Sequence, residues 1–276
     1  MYDIVGSIVA FKNSKEDIRK AIASFLDSGL NTYLYVIDNS PTDDLKDVCI
    51  FKNTEYIFNN KNLGFGTGHN IAIRKAVGKT KYSLILNPDV YFNPRTLEQL
   101  FDFMEQNQGV GLVMPKVLYP DGSLQNLCKL LPTPCDMFLR KVNIRTLSTF
   151  FNRQKLRYEL NCVDYTKIMD VPYLSGCFMF IRNNLFEEVG VFDERFFIHF
   201  EDLDLTRRIH KLYRTVYYPQ VSIYHRYERS SDKDPIIFKH LVCSGIKYFN
   251  KWGWFFDKER KIINNKAVKN ILRGHD

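Results

Sequence analysis

Short apolar runs alternate with helix-forming segments over the first 119 residues, and this alternation limits the fold more than any other feature of the sequence. The runs at 4–11, 33–37 and 82–86 are rich in apolar side chains, which is typical of strands buried on both faces. Helical patterns lie between and after them. The alternation predicts an α/β fold, a single domain with a mostly parallel central sheet and helices on both faces.

Local capping signals mark where two of the helices begin. Ser14 with Asp17 resembles a capping box, which predicts a helix that starts immediately after Ser14. Asn93 followed by Pro94 predicts a second helix from Pro94 to about residue 106, because proline is favoured at the first helical position.

The alternation stops after residue 119, and the composition then changes. Segment 121–170 includes a basic stretch at 134–157, where six Lys/Arg stand against one acid. We expect 121–170 to be an insertion or a mobile lid. Strand and helix patterns resume at residue 171, so one domain is predicted over 1–230, followed by a basic, aromatic, helical extension over 231–276.

The extension supports two interpretations. Ile236, Leu241 and Ser244 roughly follow helical spacing, so one face of a helix could pack on the core. Alternatively, the extension could be an interfacial helix, with Trp252 and Trp254 at the level of the lipid headgroups and lysines on anionic lipid.

Charge and cysteine usage narrow the class of protein. The net charge of +8 and a pI near 9.0 favour anionic partners, which are phosphates, nucleic acid or an acidic membrane surface. The six cysteines show no C-x-x-C spacing, so a zinc ribbon is not expected, and they are typical of reduced thiols in a cytosolic protein. The acidic N-terminus and the short apolar run behind it do not resemble a signal peptide. We therefore expect a cytoplasmic protein.

Polar side chains follow two of the apolar runs. Asp38 follows the second run, at the carboxyl edge where open α/β sheets bind ligands, and its carboxylate could accept the imide N–H of a pyrimidine base. It could also merely begin a turn. Asn87 and Asp89 follow the third run. Asp89 is a hard oxygen ligand suited to Mg²⁺ or Mn²⁺, and Asn87 could bind ribose, although an Asn-Pro-Asp turn is the simpler alternative.

A glycine-rich loop at 62–70 leads into a predicted helix. Its alternating glycines, among them Gly64 and Gly66, would let the backbone approach a ligand closely, and the helix N-terminus would attract an anion. The third glycine of a dinucleotide fingerprint is replaced by His69, so a nicotinamide cofactor is not expected. A plain tight loop is the alternative.

Acidic residues also open the helix predicted from residue 201. Glu201 and Asp202 follow an aromatic run, and such surroundings raise the basicity of a carboxylate, as a general base requires. Acids in a first turn also simply favour the helix dipole. His225 ends a short predicted strand, where a lone histidine is usually structural.

In this order, the segments resemble the inverting family-2 glycosyltransferases with the GT-A fold, and most of all the bacterial rhamnosyltransferase branch. The resemblance spans roughly residues 3 to 230. It implies that Asp202 is the catalytic base, with Glu201 as its neighbour and possible substitute. It also implies that Asp89 and His225 hold a divalent metal, Mg²⁺ or Mn²⁺, with Asn87 where the family often has an acid. The implied nucleotide-sugar contacts are Asp38, Asn62, Gly64, Gly66, Asn70 and Asn87.

The resemblance further implies transfer of a sugar to a lipid-linked glycan acceptor during synthesis of O-antigen or capsule. The best guess for the donor is dTDP-L-rhamnose, and peripheral contact with the inner face of the plasma membrane is an expectation. A UDP-sugar donor carrying galactofuranose, galactose or N-acetylglucosamine is the first alternative. Further alternatives are a nucleic-acid-binding protein that uses the basic tail, although no nucleic-acid module is recognisable and no such partner is expected, and an inactive nucleotide-sugar-binding scaffold.

Overall fold

Nine strands in the described part of the chain form one mixed sheet. A computed structural model of the chain describes residues 1–139, 154, 156–161, 163–226 and 234–273. The strands are β1 Tyr2–Ala10, β2 Thr32–Asp38, β3 Thr54–Phe58, β4 Thr80–Leu86, β5 Val90–Phe92, β6 Val110–Leu118, β7 Met169–Asp170, β8 Phe178–Arg182 and β9 Arg214–His225. The helices are α1 Lys15–Leu26, α2 Phe65–Ala76, α3 Thr96–Gln106, α4 Pro134–Leu139, α5 Leu185–Val189, α6 Glu201–His210, α7 Pro235–Trp252 and α8 Lys258–Arg273.

Helices cover both faces of this sheet, as predicted. Neighbouring residues of β1 point to opposite faces. Ile4 lies in the core that contains Phe25 of α1, whereas Val5 lies in a second cluster with Ala72 of α2. A Cβ atom on Gly6 would lie 2.6 Å from the Phe25 ring, so glycine is required for α1 to pack this closely.

The strand order along the sheet is β3-β2-β1-β4-β8-β6-β9-β5, with β7 paired to β9. The long ladders β1–β2, β1–β4, β2–β3 and β6–β9 are parallel. Strand β8 enters antiparallel between β4 and β6, and the short strands β5 and β7 are antiparallel to β9. The three longest ladders, β6–β9, β1–β2 and β1–β4, are parallel as predicted, whereas the antiparallel β4–β8 ladder is as long as the parallel β2–β3 ladder, with five residue pairs each.

Two local predictions have different outcomes. The Ser14 prediction is confirmed, since its side chain accepts a hydrogen bond from the Asp17 N–H at the start of α1. The Asn93 prediction is wrong: α3 begins at Thr96 after Arg95, which has a φ of 66°. The Thr96 N–H donates to the Asn93 carbonyl, so the tertiary course of the chain makes Asn93 part of a turn.

Much of segment 121–170 is integrated into the fold. Cys128 and Leu131 are almost completely buried, and Tyr165 packs in the main core. The peptide N–H of Lys129 donates to the carbonyl of Tyr173, which joins the segment to the chain before β8. Most of the basic stretch, residues 140–153, lies outside the described residues, so the lid interpretation remains a prediction.

The C-terminal extension is helical as predicted, and α7 packs through one face. Leu241, Tyr248 and Phe249 of α7 are buried in a satellite cluster with Phe200, whereas Ile236 is 67% exposed. Ile236 is therefore not one of the packing residues that the spacing predicts. Within the described ranges, no helix combines the length and apolarity needed to cross a bilayer.

Candidate active site

Three polar side chains meet where β4 ends and β5 pairs with β9. Asn87 and Asp89 lead the chain out of β4, and Val90 of β5 then pairs with His225, the last residue of β9. Asp89 Oδ2 lies 3.6 Å from His225 Nε2, and Asn87 Nδ2 lies 3.4 Å from the same nitrogen. The structure therefore brings together three residues that the sequence predicts as site residues.

Gln125 fixes the orientation of the His225 ring. His225 Nδ1 lies 3.1 Å from Gln125 Oε1, and the Gln125 amide donates to the His225 carbonyl at 2.6 Å. Burial lowers the pKa of His225 to about 4, so the ring is neutral near pH 7. With the proton on Nδ1 toward Gln125, the lone pair of Nε2 points toward Asp89, which is the arrangement a metal-binding histidine needs.

Two adjacent carboxylates lie at the N-terminus of α6. The two residues before the helix, His199 and Phe200, both have positive φ angles, of 67° and 70°. Such strained backbone is often found at functional sites. Here it turns the chain sharply, so that Glu201 and Asp202 open α6 and both line one cavity.

The two carboxylates have different partners. Asp202 is half-buried, and its Oδ2 accepts hydrogen bonds from the Gly176 N–H at 2.9 Å and the Tyr173 hydroxyl at 3.2 Å. Glu201 is only 4% exposed, and its Oε2 has no hydrogen-bond partner among the described residues. Burial raises the pKa of Asp202, and burial together with the charge of Asp202 raises that of Glu201. A raised pKa suits proton transfer and confirms the predicted desolvation.

A cavity of about 210 Å³ connects Asn87 and His225 to the carboxylate pair Glu201 and Asp202. Asn87 and His225 lie on its wall together with Glu201 and Asp202. Lys129 contributes a cation and lies 5.7 Å from the centre of the Tyr173 ring. Other lining residues are Phe65, Met137, Tyr158, Ser175, Gly176 and Leu241.

The glycine-rich loop packs closely against the protein itself, and contact of its glycines with a ligand stays a prediction. Gly64 has a φ of 84°, and a Cβ there would lie 2.3 Å from the Phe197 carbonyl oxygen. A Cβ on Gly66 would lie 2.9 Å from Phe192 Cβ. The first N–H of α2, that of Phe65, donates to the Phe197 carbonyl. These glycines therefore hold the segment that leads to the carboxylate pair.

The asparagines of the same loop also bind their own chain. Asn62 Oδ1 accepts from the Gly64 N–H at 3.0 Å. Asn70 is fully buried, and its amide bonds both the N–H and the carbonyl of Phe192 and donates to Glu194. The structure thus places Asn70 away from the cavity, as a clamp on the loop before α6.

Asp38 ends β2 at the predicted edge of the sheet, but it does not line the cavity. It is fully buried, with Oδ2 accepting from the Tyr56 hydroxyl at 2.7 Å and Oδ1 from the Ser40 N–H at 2.9 Å. Strand β1 lies between β2 and β4 in the sheet, so the ends of β2 and β4 are two strand spacings, about 10 Å, apart. The predicted turn with Ser40 is present, while a contact with a base stays a prediction.

Buried ion pairs join α6 to the C-terminal helices. Arg207 is fully buried and makes two hydrogen bonds to Asp257, at 2.8 and 2.9 Å. Its guanidinium also stacks on Trp252 at 4.1 Å. Asp204 is fully buried and accepts from the Trp252 indole at 2.8 Å. The helix that carries the carboxylate pair is therefore braced by the extension.

Gln125, Lys129 and Tyr173 carry no sequence signal that marks them as site residues. Gln125 and Lys129 belong to the segment predicted as an insertion or lid, where polar residues are unremarkable. Leu241 reaches the cavity from the extension. Only the tertiary packing gives these residues a role at the site.

The arrangement offers one basic group and one cation-binding group on a single cavity. Among the described residues, no three His, Cys, Asp or Glu side chains cluster closely enough to hold a metal by themselves. Asp89 and His225 would supply two ligands, and a magnesium-type ion commonly takes the rest from water and substrate phosphates. The donor set therefore fits Mg²⁺ or Mn²⁺ bound together with a phosphorylated substrate.

The chain is similar to two characterised glycan-building transferases. N-acetylglucosaminyl-diphospho-decaprenol L-rhamnosyltransferase of Mycobacterium tuberculosis is 27% identical over 221 residues, which cover 75% of this chain and 69% of the relative. The low-salt glycan biosynthesis hexosyltransferase Agl10 of Haloferax volcanii is 26% identical over 210 residues, with coverage of 75% and 62%.

A structural likeness supports the fold alone. The crystal structure of GalNAc-T7 with UDP, GalNAc and Mn²⁺ superposes with a TM-score of 0.61 at 14% identity. It covers 87% of this chain, which spans about half, 47%, of the GalNAc-T7 chain. The predicted GT-A fold is confirmed.

The sequence profile described as Glycosyl transferase family 2 matches residues 7–190. This range contains Asp38, the glycine-rich loop and Asp89, and it ends shortly before α6. The chain belongs to glycosyl transferase family 2.

Proposed function

We propose that this glycosyltransferase moves a sugar from a nucleotide diphosphate donor to an acceptor hydroxyl with inversion at the anomeric carbon. The observation that carries the proposal is the convergence of Asp202, Glu201, Asn87 and His225 on one cavity beside Asp89. A single displacement needs a base on one side of the sugar and charge stabilisation on the other. The cavity wall contains a candidate for each.

Asp202 is the proposed base, because its partly exposed carboxylate faces the cavity and burial raises its pKa. It takes the proton of the acceptor hydroxyl as that oxygen attacks the anomeric carbon. Gly176 and Tyr173 hold the carboxylate in place through hydrogen bonds. The positive charge of Lys129 opposes the effect of burial on the pKa of this carboxylate.

Asp89 and His225 are the proposed metal ligands. They would hold a divalent cation, which when bound would supply charge neutralisation for the departing diphosphate. Gln125 keeps His225 Nε2 available by binding Nδ1. Asn87 stands beside the same nitrogen and is the proposed contact to the ribose or phosphate side of the donor.

The nucleoside end of the donor is proposed to lie along the carboxyl edge from β4 toward β2. Asp38 lies on this edge about 10 Å from the β4 end, a distance comparable to the length of a nucleoside. Because Tyr56 and Ser40 already bond the Asp38 carboxylate, its role here is to shape the base pocket. The loop at 62–70 is proposed to support the opposite wall of this base pocket.

The donor is proposed to be dTDP-L-rhamnose and the acceptor a lipid-linked glycan. The support is the similarity to the mycobacterial L-rhamnosyltransferase, whose name specifies a diphospho-decaprenol acceptor. Thermal-shift titration with dTDP-, UDP- and GDP-sugars, with and without Mn²⁺, separates the candidate donors, since a ligand that binds the folded state raises its stability. A shift with a UDP-sugar in place of dTDP-rhamnose would reassign the donor.

Asp202→Asn tests the proposal directly. It keeps the shape of the side chain and removes the base, so transfer should fall by roughly 10²-fold or more while donor binding persists. The anomeric configuration of the product, read by NMR, checks inversion. The matched control is Asp47→Asn, an exposed carboxylate whose side chain keeps 64% of its surface and pairs with Lys15. Transfer by Asp202→Asn at the level of Asp47→Asn would refute the assignment.

A further inference from the structure

One face of α7 and the turn after it expose an unusual number of apolar side chains. A neighbouring face of α7 is buried on the protein, so the helix is held in a fixed orientation. Phe255 and Phe256, in the turn between α7 and α8, are 77% and 97% exposed. The exposed apolar residues, here called the α7 outer surface, are Ile236, Phe238, Val242, Ile246, Phe255 and Phe256.

Three of the members on the helix form one stripe. Phe238, Val242 and Ile246 follow one another at intervals of four residues, which places them on the same side of a helix, whereas Ile236 points to another side. Each of the three is between 41% and 45% exposed. α7 has 18 residues and is therefore about 27 Å long, and the phenylalanine turn follows the stripe beyond the end of the helix.

The charges around this surface are basic. Lys239, Lys247 and Lys258 are exposed beside it. The acids between residues 235 and 262 are Asp257, which is buried against Arg207, and Glu259, which pairs with Arg207 and Lys211. The exposed apolar side chains are thus flanked by cations, and the partly exposed acid of the same stretch, Glu259, is paired with Arg207 and Lys211.

We propose that the α7 outer surface docks on an anionic lipid bilayer, with α7 lying in the plane of the interface and Phe255 and Phe256 inserted among the headgroups. An amphipathic helix with aromatic side chains on its apolar face and lysines beside it has the composition of interfacial anchors. Each lysine near the surface adds attraction to anionic lipid.

The docking surface lies on a helix that also contributes to the candidate active site. Leu241, on the buried side of α7, lines the cavity, and the Ser244 hydroxyl donates to the Ile198 carbonyl three residues before Glu201. The apolar stripe lies on the neighbouring side of the same helix, whose diameter is about 10 Å, so the cavity wall lies close to the bilayer. This placement would serve a lipid-linked acceptor, but the docking does not depend on the sugar or on the chemistry.

Co-sedimentation of the full chain with vesicles tests the proposal. We expect binding to vesicles of phosphatidylcholine mixed with phosphatidylglycerol, weaker binding to phosphatidylcholine alone, and release by salt. The double variant Phe255→Ser/Phe256→Ser should lose roughly tenfold or more in partitioning. The matched control is Ile50→Ser/Phe51→Ser, an adjacent exposed pair before β3 with exposures of 81% and 37%, which should bind like the natural chain.

Tryptophan fluorescence supplies a second readout. The chain has two tryptophans: Trp252 stacks on Arg207, and Trp254 adjoins the phenylalanine turn and is 38% exposed. Emission should shift to shorter wavelength with anionic vesicles, and Trp254→Phe should abolish the shift while sedimentation persists.

Three results would overturn the proposal. The first is a natural chain that stays in the supernatant with anionic vesicles, and the second is a serine variant that binds as well as the natural chain. The third is a dimer that Phe255→Ser/Phe256→Ser dissociates, which would assign the surface to a second copy of the chain. None of these measurements uses sugar transfer, so this proposal and the proposed function can fail separately.

Discussion

Replacing Arg207 by methionine is expected to destabilise the protein strongly. Arg207 and Asp257 keep only 1% and 3% of their side-chain surface, so the substitution leaves a buried carboxylate without its main partner. Burial raises the pKa of Asp257, but the hydrogen bonds and charges of Arg207 and Arg260 together outweigh it and hold that pKa below its ordinary value. The loss of that partner is the source of the effect.

The expected magnitude follows from the partners that remain. Removing one member of a buried ion pair typically costs about 3–5 kcal/mol. Arg260 stays 3.9 Å from Asp257 and its N–H still donates to Asp257 Oδ1, so the lower end, about 3 kcal/mol, is expected. At about 2–4 °C per kcal/mol, the melting temperature should fall by roughly 6–12 °C.

Urea unfolding, followed by circular dichroism, measures the change in the free energy of unfolding. Arg207→Met alone should lose about 3 kcal/mol, and Arg207→Met/Asp257→Leu should regain more than half of it, since an apolar pair of similar volume often replaces a buried ion pair without loss. The matched control is Arg214→Met. Arg214 also binds an aspartate, Asp170, at 2.8 Å, but the two side chains are 52% and 29% exposed, so less than about 1 kcal/mol is expected.

The reasoning is refuted if Arg207→Met and Arg214→Met destabilise equally. It is also refuted if the double variant is no more stable than Arg207→Met, because the unpaired buried charge would then not be the cause. Helix α6 carries Asp202 as well as Arg207. The rate of sugar transfer should therefore also fall when the ion pair between Arg207 and Asp257 is lost.

Two further predictions concern the packing of the site and its pH dependence. Gly176→Ala would place a methyl group 2.9 Å from Asp202 Cβ, so it should displace the Asp202 carboxylate and lower kcat at least tenfold. The control is Gly109→Ala, whose methyl group would meet nothing within 4 Å and should leave kcat unchanged. Equal rates for the two variants would contradict this prediction. Burial lowers the pKa of His69 to about 3, while the ring bonds Ser7 Oγ, so stability is full above the unfolded pKa of about 6.5 and declines as the pH falls toward 3. The His69 contribution to the free energy of unfolding should fall by about 2 kcal/mol between pH 7 and pH 5. Urea unfolding at the two pH values should therefore show a loss of stability that is about 2 kcal/mol smaller in His69→Asn than in the natural chain. An equal loss in both proteins would contradict this prediction.

The elements of the fold are largely predictable from local patterns. Apolar runs mark β1, β2 and β4, and the Ser14 cap marks α1, because burial and capping depend on neighbours a few residues away. The polar residues Asp38 and Asp89 are predictable at strand ends for the same reason. The start of α3 is not, since Asn93 joins a turn that depends on where the chain must go next.

The amino-acid sequence by itself determined the fold class, the family and the positions of Asp89, Asp202 and His225 along the chain. Only the tertiary structure decided that β5 pairs with β9, which brings Asp89 to His225, and that Lys129 and Gln125 join them. It also decided that Gly64 and Gly66 pack against Phe197 and Phe192. The physical reason is range: periodicity and capping are read within one or two turns, whereas strand order and cavity walls depend on contacts between residues far apart in the chain.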